Sequence, residues 1–493
     1  MDRIRKTFKY VKLLNTSGFW VGFIAGLFYF SYIFWWLWSL YPLDSLGIEK
    51  KSVAIIILSV IFTLCVFITS TFWGLFGFFA EKFSKNNLGL TWTPLLLASA
   101  FVIAEYLRSI FFSIFWYGGG GAIGPHWPLG NIAYLFVDIN YISRLSSFFG
   151  IYSIDFILFY GGSLIFLFFS NLTKWKTCLI QAISLLGLIL LLNLIYSHQD
   201  VNLDTPISVA VVQTNIGSLD LLDTEKSISI FQKKLELISS ASKTAELIIL
   251  PEGAGLLSNL SRFLKNDGIK KYFDKLSDKE IFILDNMRTS VDDQPYSVST
   301  LISSKSGLVG LYNKEILVPL GEFMPYIAQL PISLLSSDYM GWFSTYRVLA
   351  KGSGQNIIQL KNVTLKVLIC SELISPGKSL SGNPNLIITL GSYSVWNSDR
   401  LAKKQILSAA RFRAIENRKY LVLASNSDQS YIINDRGIIE KSGTPNTFEL
   451  LTGSVVPNHN RTWYNYVGDW PILLLSSVFF GLALRKIRNG TKS

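Results

Sequence analysis

The chain has 493 residues, of which 50% are hydrophobic, 14% aromatic and only 16% charged, where a soluble globular chain carries roughly 25% charged residues. With a mean hydropathy of +0.37, it holds more apolar surface than one or two water-soluble cores can hide, which excludes a wholly soluble enzyme. The net charge of +12 comes without zinc-finger spacing or a basic helix, and many of the cations flank apolar runs, where they set orientation and meet lipid head groups, so nucleic acid is not an expected partner.

In chain order, residues 18–41 form the first uncharged apolar stretch, longer than the roughly 20 residues a helix needs to cross hydrocarbon. It is too long for a signal peptide and no small-residue cleavage site follows it, so it is expected to remain as a span. Further spans are predicted at 53–80, 94–116, 149–170 and 177–197, and one more at 469–484. Glu105, Arg108 and Asp155 fall inside these stretches, and ionisable groups at membrane depth are expected to face the bundle interior. Residues 117–148 open with GGGGAIGPHWP and carry Asp138 and Arg144; they read as an interfacial or partly re-entrant loop. With five spans before the middle region and one after it, the basic clusters MDRIRKTFKYVK, Lys82 with Lys85, Lys174 with Lys176, and the tail RKIRNGTKS all fall on one side, the cytoplasmic side by the positive-inside rule. Lys50 and Lys51 fall on the other.

Residues 199–466 change character. Short β-branched runs alternate with polar helical segments: ISVAVVQ from Ile207, AELIIL to Leu250, EIFILD from Glu280, LKVLIC to Cys370, NLIITL from Asn385 and YLVLAS from Tyr420. Several are continuous apolar runs, as in strands covered by helices. Residues 399–419 read as a helix, and YIINDRGIIE as a hairpin turning at Asn434–Gly437. The expected organisation is a membrane domain over 1–198, an extracytoplasmic α/β domain over 199–466, and a final span with a basic cytoplasmic tail over 467–493. No repeat of 20–50 residues recurs, so a solenoid is not supported.

Cys65, Cys178 and Cys370 form no CxxC pair, and His126, His198 and His459 lack HExxH spacing; no disulfide framework, metal site or cofactor is expected. Three other signals sit at or just beyond the ends of apolar strands: Glu252 in LIILPEGAG, Lys314 in YNKEILVPLGEF and Cys370 in VLICSE. Strand ends present side chains to a cleft. A carboxylate can take a thiol proton, and an ammonium favours the charged sulfur, so together the three make a nucleophile, a base and a cation for acyl transfer. Singly, a buried cysteine after a strand is more often packing, a lone lysine a surface charge and a lone glutamate a cap.

The phrases YNKEILVPLGEFMP, LPEGA, ICSE and RFRAIENRKYLVLASNS, with EYLR at Glu105 and GDWP at Gly468, lift the set above those readings. They resemble the nitrilase superfamily of Glu-Lys-Cys amidases and, over nearly the whole chain, its membrane-embedded branch, the apolipoprotein N-acyltransferases. The resemblance implies a polytopic α-helical membrane domain carrying a nitrilase-like αββα sandwich in the bacterial inner membrane, with that sandwich on the periplasmic side. It implies Glu252 as general base, Lys314 as the cation that steadies the oxyanion beside the backbone N–H of Ser371, Cys370 as the acylated nucleophile, and Glu322 and Glu372 as further active-site carboxylates. Its partners would be a phospholipid acyl donor and a diacylglyceryl lipoprotein acceptor. The chain departs from the family pattern at Ser297, Ser371, Leu423 and Asp428 and in the phrase GSYSVWNSD. Two other readings use the same residues: a membrane-tethered amidohydrolase with water as acceptor, and a non-catalytic lipid-binding protein.

Overall fold

The computed structural model describes residues 17–85, 89, 91–170, 175–198, 204–217, 220–264, 266–335, 337–354, 356–380, 382–394 and 399–490. The basic segment 1–12, Lys174, residues 199–203 at the head of the middle region, residues 395–398 of GSYSVWNSD and the end of the basic tail lie outside them.

Among the described residues, six helices are long and apolar enough to cross a membrane: Ser17–Leu40, Lys51–Lys85, Thr93–Phe115, Ile151–Phe169, Trp175–His198 and Trp470–Arg488. The first consists of α1 (Ser17–Ile33) continued by a 3-10 turn, Trp35–Leu40; α2 (Lys51–Lys85), α3 (Thr93–Phe115), α4 (Ile151–Ser170) and α5 (Trp175–His198) follow. α1 and α2 lie backbone to backbone, since a Cβ on Gly22 would stand 2.2 Å from the Trp73 carbonyl oxygen; helices in lipid associate through such small residues. Glu105, Arg108 and Asp155 are fully buried, as their depth requires. Arg108 Nη2 lies 2.6 Å from Glu105 Oε2 and its Nη1 donates to the Leu129 carbonyl at 2.8 Å, while Asp155 accepts from Asn131 Nδ2 at 2.6 Å. The intramembrane charges thus anchor the 117–148 loop, which contains only short turns such as Ile132–Phe136 and no span.

Beyond α5 come β1 (Ile207–Gln213), α6 (Thr224–Ala241), β2 (Leu247–Ile249), α7 (Leu256–Phe263), α8 (Asn266–Leu276), β3 (Phe282–Val291), β4 (Gln294–Ser303) and β5 (Gly307–Asn313). After these lie α9 (Tyr326–Leu335), α10 (Ser337–Tyr346), β6 (Ile357–Leu360), β7 (Val363–Ile369), β8 (Leu386–Ser392), α11 (Arg400–Asn417), β9 (Leu421–Asn426), β10 (Tyr431–Ile433), β11 (Ile439–Ser442), β12 (Glu449–Val455), α12 (Trp463–Val467) and α13 (Trp470–Gly490). The strands form two six-stranded sheets, β12-β1-β2-β3-β4-β5 and β11-β10-β9-β8-β7-β6. β1, β2 and β3 run parallel, as do β7, β8 and β9, and a parallel bridge from Thr214 to Asn426 turns both sets of C-terminal strand ends toward one edge.

Strand alternation builds the layers. Val209, Val211, Leu247 and Ile249 meet Leu365, Val367, Ile369 and Ile388 between the sheets. Their neighbours Ala210, Val212 and Ile248 face Ile238, Ala241, Leu260 and Phe273 of the first helical layer. Leu368, Ile387 and Leu423 face Ile406, Ala410 and Ala414 of α11, and the same cluster takes in Phe30, Phe34, Phe112 and Trp116 from the spans. α11 is therefore covered on both sides, by the sheet and by the membrane domain, which is why its middle reads AARFRA without a solvent face. Gln405 ties it to the loop above the spans, accepting from the Gly130 N–H at 3.0 Å.

Candidate active site

Three elements bring their C-terminal ends to the shared edge. β2 runs into Pro251 and Glu252, β5 into Lys314, and β7 into Cys370. Lys314 is 1% exposed; its Nζ lies 3.2 Å from Glu252 Oε1 and 2.8 Å from Glu322 Oε1. The second Glu252 oxygen accepts from the Ser392 N–H at 3.1 Å, and the second Glu322 oxygen from the Val318 N–H at 2.8 Å. Both carboxyl groups are therefore fixed in rotation before any substrate arrives. Burial alone would lower the Lys314 ammonium, but Glu252, Glu322 and Cys370 around it outweigh that effect and hold it above the ordinary lysine value.

Cys370 takes a left-handed backbone conformation, φ 48°, in the 3-10 turn Cys370–Leu373. A non-glycine residue there costs about 1–3 kcal/mol and persists only where its surroundings over-determine it. They do so here through Glu372 and Ser371. Glu372 Oε1 accepts from Tyr312 Oη at 2.5 Å, Glu315 N at 2.9 Å and Ile316 N at 3.3 Å, and its Oε2 accepts from Ile369 N at 2.9 Å. Ser371 Oγ donates to the Ile316 carbonyl at 2.5 Å. Removal from water pushes the Cys370 thiol up, and the nearby Glu252 carboxyl, which shares a hydrogen bond with it, pushes it further; Lys314 offsets only part of this. This favours the neutral thiol, with the Glu252 carboxyl beside it.

The structure thus gathers Glu252, Lys314, Glu322 and Cys370 into one polar cluster, and sets Glu372 and Ser371 behind it as the brace of the Cys370 turn. Asn286, which the sequence analysis did not single out, is equally placed: its Oδ1 accepts from the Gly253 N–H at 2.8 Å and its carbonyl from Gly255 N–H at 2.9 Å, so it shapes the turn that carries Glu252. In the sequence it follows the mostly apolar run IFILD directly, although β3 itself continues to Val291. Of the departures from the family pattern, Ser297 Oγ lies 3.3 Å from Asn286 Nδ2, Leu423 is buried against α11, and Asp428 pairs with Lys403 at 3.5 Å. Among the described residues no three His, Cys, Asp or Glu side chains gather as metal ligands do.

Two mixed sheets stand back to back, each built on three parallel strands, and a thiol, a lysine and two carboxyl groups meet at their common edge, a set of groups suited to acyl chemistry. The chain belongs to the carbon-nitrogen hydrolase family, whose model matches residues 208–465. Residues 11–164 match the apolipoprotein N-acyltransferase N-terminal domain. The apolipoprotein N-acyltransferase of Haemophilus ducreyi is 26% identical over 443 residues, covering 86% of this chain and 81% of that protein. That of Prochlorococcus marinus subsp. pastoris is 27% identical over 488 residues, covering 94% and 88%. Among solved structures, Saccharomyces cerevisiae Nit3, a member of branch 10 of the nitrilase superfamily, is similar at 18% identity and a TM-score of 0.39, over 52% of this chain and 92% of its own.

Proposed function

We propose that this protein transfers a fatty acyl chain from a phospholipid, through a thioester on Cys370, to the N-terminal amine of a diacylglyceryl-cysteine lipoprotein. The observation that carries the reading is the buried Lys314, held by Glu252 and Glu322 beside Cys370, in a domain whose helix α11 is packed directly on membrane spans. The names of its relatives support the same substrates.

Glu252 takes the Cys370 proton as the sulfur attacks the ester carbonyl carbon of the donor. The developing oxyanion lies toward Lys314 and the Ser371 N–H; a preorganised donor of this kind is typically worth about 3–4 kcal/mol. Collapse breaks the ester C–O bond, Glu252 returns the proton to the departing lysophospholipid oxygen, and the acyl group remains on sulfur. The acceptor amine then attacks the thioester, Glu252 takes its proton, and the C–S bond breaks to give the amide and the restored thiol. Both substrates carry acyl chains that stay in the bilayer, so the spans supply a lateral approach as well as an anchor. The protein acts in the bacterial inner membrane, with its α/β domain on the periplasmic face and its basic span ends in the cytoplasm. Intact mass of the purified protein after incubation with phospholipid tests the reading: a gain of one acyl chain, absent in Cys370→Ala and present in Cys65→Ala and Cys178→Ala, is expected. Acylation that survives Cys370→Ala rejects it.

A further inference from the structure

The segment bearing Glu322 is gripped from two sides. On one side the nucleophile turn holds it, through Ser371 Oγ on the Ile316 carbonyl and Glu372 on the Glu315 N–H. On the other lies the glycine run that follows α3. The Tyr117 carbonyl accepts from the Tyr326 N–H at 2.9 Å, and Gly118 and Pro325 form an antiparallel bridge. A Cβ on Gly118 would stand 2.4 Å from the Met324 carbonyl oxygen, and one on Gly120 would stand 2.9 Å from Phe323 Cβ and 3.0 Å from Leu317 Cδ1; one on Gly119 would meet nothing within 4 Å. Phe323 and Leu317 join Leu349 in a small buried cluster. Leu349 N–H in turn donates to the Glu322 carbonyl at 2.8 Å. Between this contact and the Lys314 ammonium there is only the Glu322 side chain, whose Oε1 is 2.8 Å from Nζ.

We propose that Gly118 and Gly120 of the membrane domain are positioning residues for Glu322, and through it for Lys314, so that close seating of the membrane loop on residues 323–325 sets the geometry of the acylation site. This rests on the acyl-transfer reading above. A Cβ at either glycine must drive backbone or Cβ atoms one or two residues from Glu322 out of place, because the nearest obstructing atoms, the Met324 carbonyl oxygen for Gly118 and Phe323 Cβ for Gly120, are not the ends of flexible side chains. Close-packed surroundings transmit such a shift, and a displacement of about 1 Å at a reacting centre can cost a hundredfold in rate.

The test uses the full-length protein in a Cys65→Ala, Cys178→Ala background. It measures the saturating rate of Cys370 acylation, the phospholipid concentration at half-saturation, and the pH profile of Cys370 alkylation without phospholipid. Gly118→Ala and Gly120→Ala should each lower the saturating rate by about tenfold or more, leave half-saturation within about twofold, and shift the alkylation profile, since Lys314 no longer lies where it was relative to the sulfur. Gly119→Ala should change none of the three. If the first two variants behave like Gly119→Ala, or lose only yield and thermal stability while rate per folded molecule and pH profile stay put, the proposal is overturned. Should they not fold, Phe323→Ala loosens the same contact by deletion, and normal acylation there overturns it equally. Cys370→Ala and Lys314→Met in the same background separate the levels: acylation that survives Cys370→Ala rejects the acyl-transfer reading itself, whereas an inactive Lys314→Met beside normal glycine variants rejects only the positioning role.

Discussion

Lys314 sits where its charge is shared between two carboxyl groups, and in the proposed mechanism it also supports a sulfur that must become an anion. Replacing it with Met leaves shape and burial but removes the only cation in hydrogen-bond contact with Glu252 and Glu322 among the described residues. Acylation and deacylation should both slow by about a hundredfold or more in single-turnover assays; near-normal turnover would remove Lys314 from the mechanism. Lys314→Arg should recover little, because a planar guanidinium does not fit a pocket that leaves the ammonium 1% exposed. The thiol offers a second measurement. Because its pKa is held above the ordinary cysteine value, iodoacetamide at about pH 8 should modify Cys370 more slowly than free cysteine, with the rate still climbing at higher pH; unfolding in denaturant should abolish the difference. A rate matching free cysteine in the folded protein would show that the sulfur is not desolvated. At this scale much was legible in the sequence, since Glu252, Lys314 and Cys370 each end an apolar run. The brace was not, because Tyr312 and Glu372, 60 positions apart, come together only through the packing of one sheet on the other.

The turn Cys370–Leu373 shows how an element carries the chemistry of one residue. Its left-handed start is held by Ser371, on the Ile316 carbonyl, and above all by Glu372, which engages one hydroxyl and three backbone N–H groups. Glu372→Ala orphans these buried donors at about 1–3 kcal/mol each, so the melting temperature should fall and the saturating acylation rate with it, while Glu372→Gln, which keeps an acceptor oxygen, should lose less of both. Equal behaviour of the two variants would contradict the brace. The strands themselves divide by position in the sheet. β1, β2, β7, β8 and β9 lie inside their sheets and are covered on both faces, so they read as mostly apolar runs, broken by single polar residues such as Ser208, Lys366 and Thr389. β5 and β12 are the edges of the first sheet, with Leu308 and Leu311 exposed, and β6 has only four residues. β4 hides Ser299 and Thr300 in its buried stretch. None of these has a pattern that distinguishes it from loop. The helix over 399–419 was legible, and Asp399, whose side chain accepts from the Ala402 N–H, caps it, but its second covered face belongs to the membrane domain and could not be read from one segment alone.

For the whole molecule, the spans impose an orientation and the orientation restricts the acceptor. Phe83 near the end of α2 packs with Ala483 and Ile487 near the end of α13, so Lys82 and Lys85 share one membrane face with Arg485, Lys486 and Arg488, away from the sheets. A cysteine placed at the exposed end of β11, Ser442→Cys, should therefore react with a membrane-impermeant reagent in cells, and one at Lys85→Cys should not; the reverse pattern would invert the topology. In the proposed orientation, a domain seated on the outer face would receive lipids from the side. A thioester in a cleft open to water would be hydrolysed, so a transferase must exclude water until its acceptor arrives, whereas a hydrolase must admit it. The contact of α11 and the 117–148 loop with the spans closes the side of the domain that faces the bilayer, and an acceptor already bearing acyl chains enters by the route the donor used. The kinetics should be ping-pong: phospholipid alone gives one stoichiometric burst of lysophospholipid, and continued turnover requires a diacylated peptide with a free N-terminal amine. Steady release of free fatty acid from phospholipid without any amine would instead make water the acceptor and the protein a membrane-bound hydrolase.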